Sequence, residues 1–118
     1  MALASLLNIP ATDEERLLWS FAHQDQHVKI ANAVFQQDAN AVLPIYVLDP
    51  MPSPKNHDGI NSWLRLNQSA HNDFSGLLGI DNNDLSSVDW DKPDQVASFI
   101  RLHFNEHLEA QLRLGFAD

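Results

Sequence analysis

Apolar side chains recur at three- and four-residue steps through three long stretches of the chain, separated by intervals dense in proline or in Asp and Asn. In the first stretch Leu17, Phe21, Val28, Ala31 and Phe35 form one helical stripe with Gln24 at its middle, and this face is expected to be buried. His23 and His27 lie one row to the side, beside Ile30 and Val34. Thr12 followed by Asp13, Glu14 and Glu15 is a strong helix start, with Thr12 as cap, Glu15 closing a capping box and the carboxylates suited to the dipole. A helix is therefore predicted from about residue 12 to about residue 37.

A second helix is predicted from near Asp58, carrying Ile60, Trp63, Leu64, Ala70, Phe74 and Leu78 on one stripe, with Asn67 and His71 inside it and Gly79 placed to end it. A third opens at Pro93, after Asp91 or Lys92, and stops at Gly115. Its inner face is Val96, Ile100, Ala110 and Leu114, and His103 and His107 fall in the same stripe.

Pro44, Pro50, Pro52 and Pro54 surround Ile45, Tyr46, Val47 and Leu48, so residues 41–57 read as an extended strap across the helices and not as a sheet strand. A hinge between domains is the competing reading, and it is weakened because those four apolar residues call for burial. The stretch from Ile80 to Trp90 reads as an ordered loop anchored by Leu85, Val88 and Trp90, with room for a short fourth helical turn near residues 85 to 90. Residues 1–11 form an N-terminal arm. The expected fold is all-α: a compact three- to four-helix bundle with a proline-rich strap, one domain over residues 1–118.

Composition narrows the function classes. Sixteen acidic against seven basic side chains give a formal charge of −9 and a pI near 4.8, so direct nucleic-acid binding is not expected. The chain has no cysteine, which excludes disulfides, thiolate nucleophiles and Cys-type zinc sites and fits a reducing cytosol. The opening apolar run lacks the basic leader of a signal peptide, and no stretch approaches the roughly 18 uninterrupted apolar residues of a membrane span.

The histidines are the unusual feature. His23/His27 and His103/His107 are both His-x-x-x-His, a spacing that stacks two imidazoles on one helix face and can chelate an ion, and His71 would bring in a third helix. Neither pair carries the Glu-x-x-His or His-Glu-x-x-His pattern of known bundle metal sites; Glu106 precedes the second histidine of its pair. Buried, hydrogen-bonded core histidines are the default reading, no metal or cofactor is assigned, and metal binding by His23, His27, His71, His103 and His107 is the rival. A buried imidazole without a carboxylate partner resists protonation, so stability is expected to fall between pH 7 and pH 5.

Other candidates carry less. Counting Asp81 as position 1 of a calcium loop puts Leu85 at the fifth position, Ser86 where glycine is needed and Lys92 where the bidentate Glu belongs. His71 and Asp73 are two apart and point away from each other on a helix. No nucleophile motif, phosphate loop or dinucleotide fingerprint occurs, so no catalytic residue and no enzymatic activity is assigned. Trp19, Trp63 and Trp90 suit core packing before interface anchoring.

The block Trp63-Leu64, His71-Asn72-Asp73-Phe74, Leu77-Leu78-Gly79, Asn83-Asp84-Leu85, Val88-Asp89-Trp90, Asn105-Glu106-His107 and Leu114-Gly115 resembles small proteins found among the virion structural genes of tailed bacteriophages. The likeness covers about residues 60 to 116, with a weaker match at Leu43-Pro44 and Leu48-Asp49-Pro50. It implies a non-enzymatic virion or assembly protein, made in the bacterial host cytoplasm, bound to other phage structural proteins and open to homo-oligomerisation in a symmetric particle. Expected interface residues are Tyr46, Leu48, Leu85, Val88 and Trp90. A histidine-based metal-binding bundle and an acidic regulator that binds a basic host protein are the alternatives; salt sensitivity of a host complex would mark the regulator.

Overall fold

The computed structural model describes residues 3–44 and 48–117. Three helices carry the fold, α1 (Asp13–Gln37), α2 (His57–Leu78) and α3 (Pro93–Leu114), preceded by a 3-10 turn at Leu3–Leu7, and no strand occurs among the described residues. Among them, no helix is long and apolar enough to cross a membrane.

The helix ends follow local chemistry. At α1 the Thr12 hydroxyl accepts from the Glu15 N–H at 3.1 Å while the Glu15 carboxylate accepts from the Thr12 N–H at 3.0 Å, a complete capping box. Thr12→Ala is expected to cost about 1 kcal/mol, read as a shift in the denaturant midpoint at unchanged slope. Asn56 caps α2 by accepting from the Gly59 N–H, and α3 starts on Pro93 after Lys92. Gly79 and Gly115 end α2 and α3 at φ of 65° and 73°, left-handed backbone that a side chain would strain.

All three helices run in the same direction. Trp19 on α1, Ile60 and Trp63 on α2, and Phe99 and Ile100 on α3 share one apolar cluster, whereas Ile30 and Val34, Phe74, and Ala110 and Leu114 share the other. The C-terminal ends meet: Gln37 Nε2 donates to the Leu114 carbonyl at 2.9 Å, and Arg113 Nη1 donates to the Leu78 carbonyl at 2.9 Å. The two connections therefore return along the length of the molecule. The first goes from Leu43 in the second cluster to Met51 in the first, and the second from Ile80 to Leu85 in the same sense.

The strap is fixed to α1 through its backbone. Gln24 Oε1 accepts from the Leu48 N–H at 2.8 Å, Ser20 Oγ accepts from the Met51 N–H at 2.8 Å, and Trp63 Nε1 on α2 donates to the Asp49 carbonyl at 3.0 Å. Proline-rich chain cannot pair its own backbone into a ladder, so side chains satisfy it.

Three expectations are corrected. The face of α1 built on Leu17, Phe21 and Phe35 is exposed, at 41, 55 and 39%, and of that stripe only Ala31 is fully buried. The helix is turned by about 100°, one residue step, so that Trp19, His23, Gln26, His27, Ile30 and Val34 face inward. Counting histidine as polar selects the wrong stripe, because on this helix the imidazoles belong to the core. The extra turn is at Leu3–Leu7, not near residues 85 to 90; Leu3 and Leu6 plug the first cluster, and the Leu6 carbonyl accepts from Trp19 Nε1 at 3.2 Å.

Leu48 and Leu85 are buried, which leaves neither side chain free to meet a partner. Val88 and Trp90 are half-buried against the first cluster, and Tyr46 lies outside the described residues.

Candidate metal centre

Between the two apolar clusters every helix contributes polar side chains to the interior. α1 supplies His23, Gln26 and His27, α2 supplies Asn67 and His71, and α3 supplies His103, Glu106 and His107, all buried. Because the helices are parallel, these residues fall at one level of the bundle. The spacing of four within each His-x-x-x-His pair stacks both rings on the inner face, as the 3.6-residue turn requires.

The five rings pack on one another. His23 lies 4.5 Å from His27, 4.7 Å from His103 and 5.1 Å from His107 between centroids, and His71 lies 4.5 Å from His103 and 4.7 Å from His107. Aromatic side chains close the cluster: Trp19 stands 4.9 Å from His23, Phe99 stacks at 5.4 Å on His103, and Phe74 stands 4.7 Å from His71.

The nitrogens converge. One ligand atom from each of His23, His71, His103 and His107 can be chosen so that all lie within 4.8 Å of one another. His23 Nε2 lies 2.9 Å from His27 Nε2 and 3.0 Å from His103 Nε2. Two nitrogens bound at about 2.0–2.1 Å to one ion sit roughly 3.0 Å apart at a right angle and roughly 3.4 Å apart at the tetrahedral angle. The two contacts at His23 are of hydrogen-bond length and also match ligands at a right angle, whereas nitrogens as far apart as 4.8 Å exceed the roughly 4.1 Å span of one ion and have to move inward by several tenths of an ångström to share it.

Hydrogen bonding alone leaves this arrangement incomplete. His23 Nε2 has either one proton or one lone pair, so it cannot make two good hydrogen bonds to His27 and His103 at once. His107 has no hydrogen-bond partner on either nitrogen, His71 none on Nε2, His103 none on Nδ1, and Asn67 none on its amide. Buried and unsatisfied polar atoms of this kind cost about 1–3 kcal/mol each. A cation takes one lone pair from each ring, which removes that cost at His71 Nε2 and at one nitrogen of His107.

One carboxylate touches the cluster. Glu106 Oε1 accepts from His71 Nδ1 at 3.0 Å, and Glu106 Oε2 accepts from the backbone N–H of Asn83 at 3.1 Å and from Asn83 Nδ2 at 3.0 Å. Glu106 thus acts as acceptor to three donors, which fixes the His71 proton on Nδ1 and leaves its Nε2 as a bare lone pair facing the cluster.

The electrostatics agree with neutral rings. Burial first, and then mutual repulsion among the rings, holds His23, His71, His103 and His107 well below the ordinary imidazole range, and burial pushes His27 down to about 3. Burial raises Glu106 above the usual carboxylate range, against the opposing hydrogen bonds from Asn83. Neutral imidazole is the form that binds metal.

Every histidine singled out from the sequence as a metal candidate is in this cluster; the sixth, His57, is exposed at the start of α2. Glu106 and Asn83 were missed as members of the site. The signal for Glu106 was present, since it stands three residues after His103 and four before Ala110 on the inner stripe. Asn83 carried no such signal, because a loop residue has no periodicity to place it. No family model, no curated protein and no solved structure matches this chain.

Proposed function

We propose that this protein is a structural metal protein, in which a divalent late first-row transition ion held by His23, His71, His103 and His107 joins three parallel helices. His27, whose Nε2 lies 2.9 Å from that of His23, is placed as a fifth nitrogen. The observation that carries the reading is the meeting of four buried imidazole nitrogens from three helices within 4.8 Å. An all-nitrogen set suits zinc, nickel, cobalt or copper, and disfavours calcium and magnesium, which require oxygen.

The burial of all five rings supports a structural role over a catalytic one. A catalytic ion keeps a position open to water or substrate, whereas here rings, Trp19, Phe74 and Phe99 close the cluster. The acidic surface attracts cations in general, and Glu106 offsets one of the two charges of the ion through His71. Untagged protein purified without chelators is expected to hold one ion per chain by elemental analysis, and His107→Ala none. Metal at far below one ion per wild-type chain after exposure to zinc, nickel, cobalt and copper would overturn the proposal.

As its setting we propose the tailed-phage particle, with other virion proteins as partners. The resemblance over about residues 60 to 116 supports this, and His71, Asn83, Glu106 and His107, which meet at the cluster, all stand within its matching block. A metal-stiffened, non-enzymatic bundle fits a component held in a large assembly. In gradient sedimentation of an infected-cell lysate the 13.3 kDa chain is expected with large particles; recovery only as a free species counts against it.

A further inference from the structure

We infer that the segment from Ile80 to Leu85 is the gate of the metal centre and that Glu106 is its latch, a positioning residue through which the ion enters and leaves when Asn83 releases the carboxylate. This rests on the metal reading above.

Along the bundle axis the polar level is sealed by apolar clusters that contain Trp19, Trp63 and Leu64 on one side and Ile30, Phe74 and Ala110 on the other. Around it stand helices with their own internal hydrogen-bond ladders, whose opening requires the loss of several turns at once. At His71 the covering is a loop and not a helix. Outward from its Nδ1 come the Glu106 carboxylate and then Asn83, which is half-exposed and belongs to a segment without regular structure.

That segment is held by side chains. Gln68 on α2 clasps it twice, donating from Nε2 to the Asn83 carbonyl at 3.1 Å and accepting at Oε1 from the Leu85 N–H at 2.6 Å. Asn72 Oδ1 accepts from Asn82 Nδ2 at 2.6 Å, and Glu106 accepts both Asn83 donors. Each of these bonds can be exchanged for water without unwinding a helix. Leu85 is buried in the first cluster and Ile80 in the second, so the piece between them can swing while both ends stay anchored.

Once Asn83 lets go, Glu106 Oε2 is open to an incoming ion while Oε1 stays on His71 Nδ1, at the edge of an otherwise uncharged nitrogen cage. A dehydrating divalent ion crossing into a low-dielectric interior needs a compensating charge on the way, and Glu106 supplies it one hydrogen bond from His71. Holding that carboxylate closed against Asn83 is what keeps a loaded ion in place.

The test is the release rate of zinc from the loaded full-length chain into an excess of chromogenic chelator. Asn83→Ala removes one latch bond and Gln68→Ala removes both clasps; each is expected to speed release by about tenfold or more, at an unchanged one ion per chain. Val96→Ala, a cavity in the buried start of α3 away from the segment, is the control for general loosening and is expected to change the rate by less than about twofold under this account. Wild-type rates in Asn83→Ala and Gln68→Ala, or equal acceleration by Val96→Ala, would overturn the gate while leaving the metal site intact. A wild-type chain that takes up no ion overturns both.

Discussion

Loss of the ion is expected to lower the melting temperature by about 15 °C, and His107→Ala is expected to reproduce that loss in a form that added metal does not restore. An ion present at about a thousand times its Kd contributes roughly 4 kcal/mol, and about 1 kcal/mol corresponds to a few degrees for a chain of this size. The sign changes in the metal-free protein. There His107 is a buried ring with no hydrogen bond on either nitrogen, so His107→Leu, which fills the space with apolar atoms, is expected to equal or exceed the metal-free wild type in stability. Differential scanning calorimetry of both proteins with and without zinc gives four melting temperatures. They are expected to cross, with wild type higher when loaded and the leucine variant equal or higher when empty. Parallel behaviour of the two proteins would contradict that expectation.

Acidification is the second large effect. The folded-state pKa values of His23, His27, His71, His103 and His107 are all depressed by burial, so between those values and the ordinary imidazole value the unfolded chain binds more protons than the folded one. Stability is therefore fully present above about pH 6.5 and declines as pH falls below it. For His27, whose pKa is pushed down to about 3, the loss at pH 5 amounts to about 2 kcal/mol. The other four rings act in the same direction. Glu106 acts oppositely: its raised pKa contributes stability that is present at low pH and is lost as pH rises through that value, which offsets a part of the change.

A domain has only about 5–15 kcal/mol in total, so the metal-free protein is expected to unfold cooperatively as pH is taken from 7 to 5. Bound metal should shift the transition to lower pH, since protons and the ion compete for the same lone pairs. Circular dichroism across this range, with and without zinc, would show it. A metal-free melting temperature that stays flat from pH 7 to pH 5 would rule out a cluster of buried neutral imidazoles.

Much of the architecture could be read from local chemistry. Thr12 with Glu15, Pro93, Gly79 and Gly115 mark helix ends through hydrogen bonds and backbone angles that act within a few residues, so they needed no tertiary knowledge. The inner faces of α2 and α3 were legible too, because Asn67, His71, His103 and His107 sit within otherwise apolar stripes. On α1 the same reasoning failed. Leu17, Phe21 and Phe35 offer the more apolar stripe, yet Trp19, Ile30 and Val34 are buried because that orientation carries His23 and His27 to the level of the rings on α2 and α3. The choice between two faces of one helix was made by partners on other helices. The parallel run of the helices was hidden for a related reason: an extended connection has no periodicity to reveal which end of the bundle it returns to.

His71 donates to its carboxylate and His23 lies within hydrogen-bond distance of His27 and His103, but neither nitrogen of His107 has a hydrogen-bond partner, and only the joint geometry of three helices exposes that deficit. Spacing along a sequence gives pairs of rings; it does not give the directions of their lone pairs.

X-ray absorption at the zinc edge of the loaded, untagged chain reports the rings bound to the ion. Four or five light-atom ligands at about 2.0–2.1 Å are expected, with the outer-shell pattern of imidazole rings. An outer-shell pattern that accounts for fewer than three imidazole rings would overturn the site.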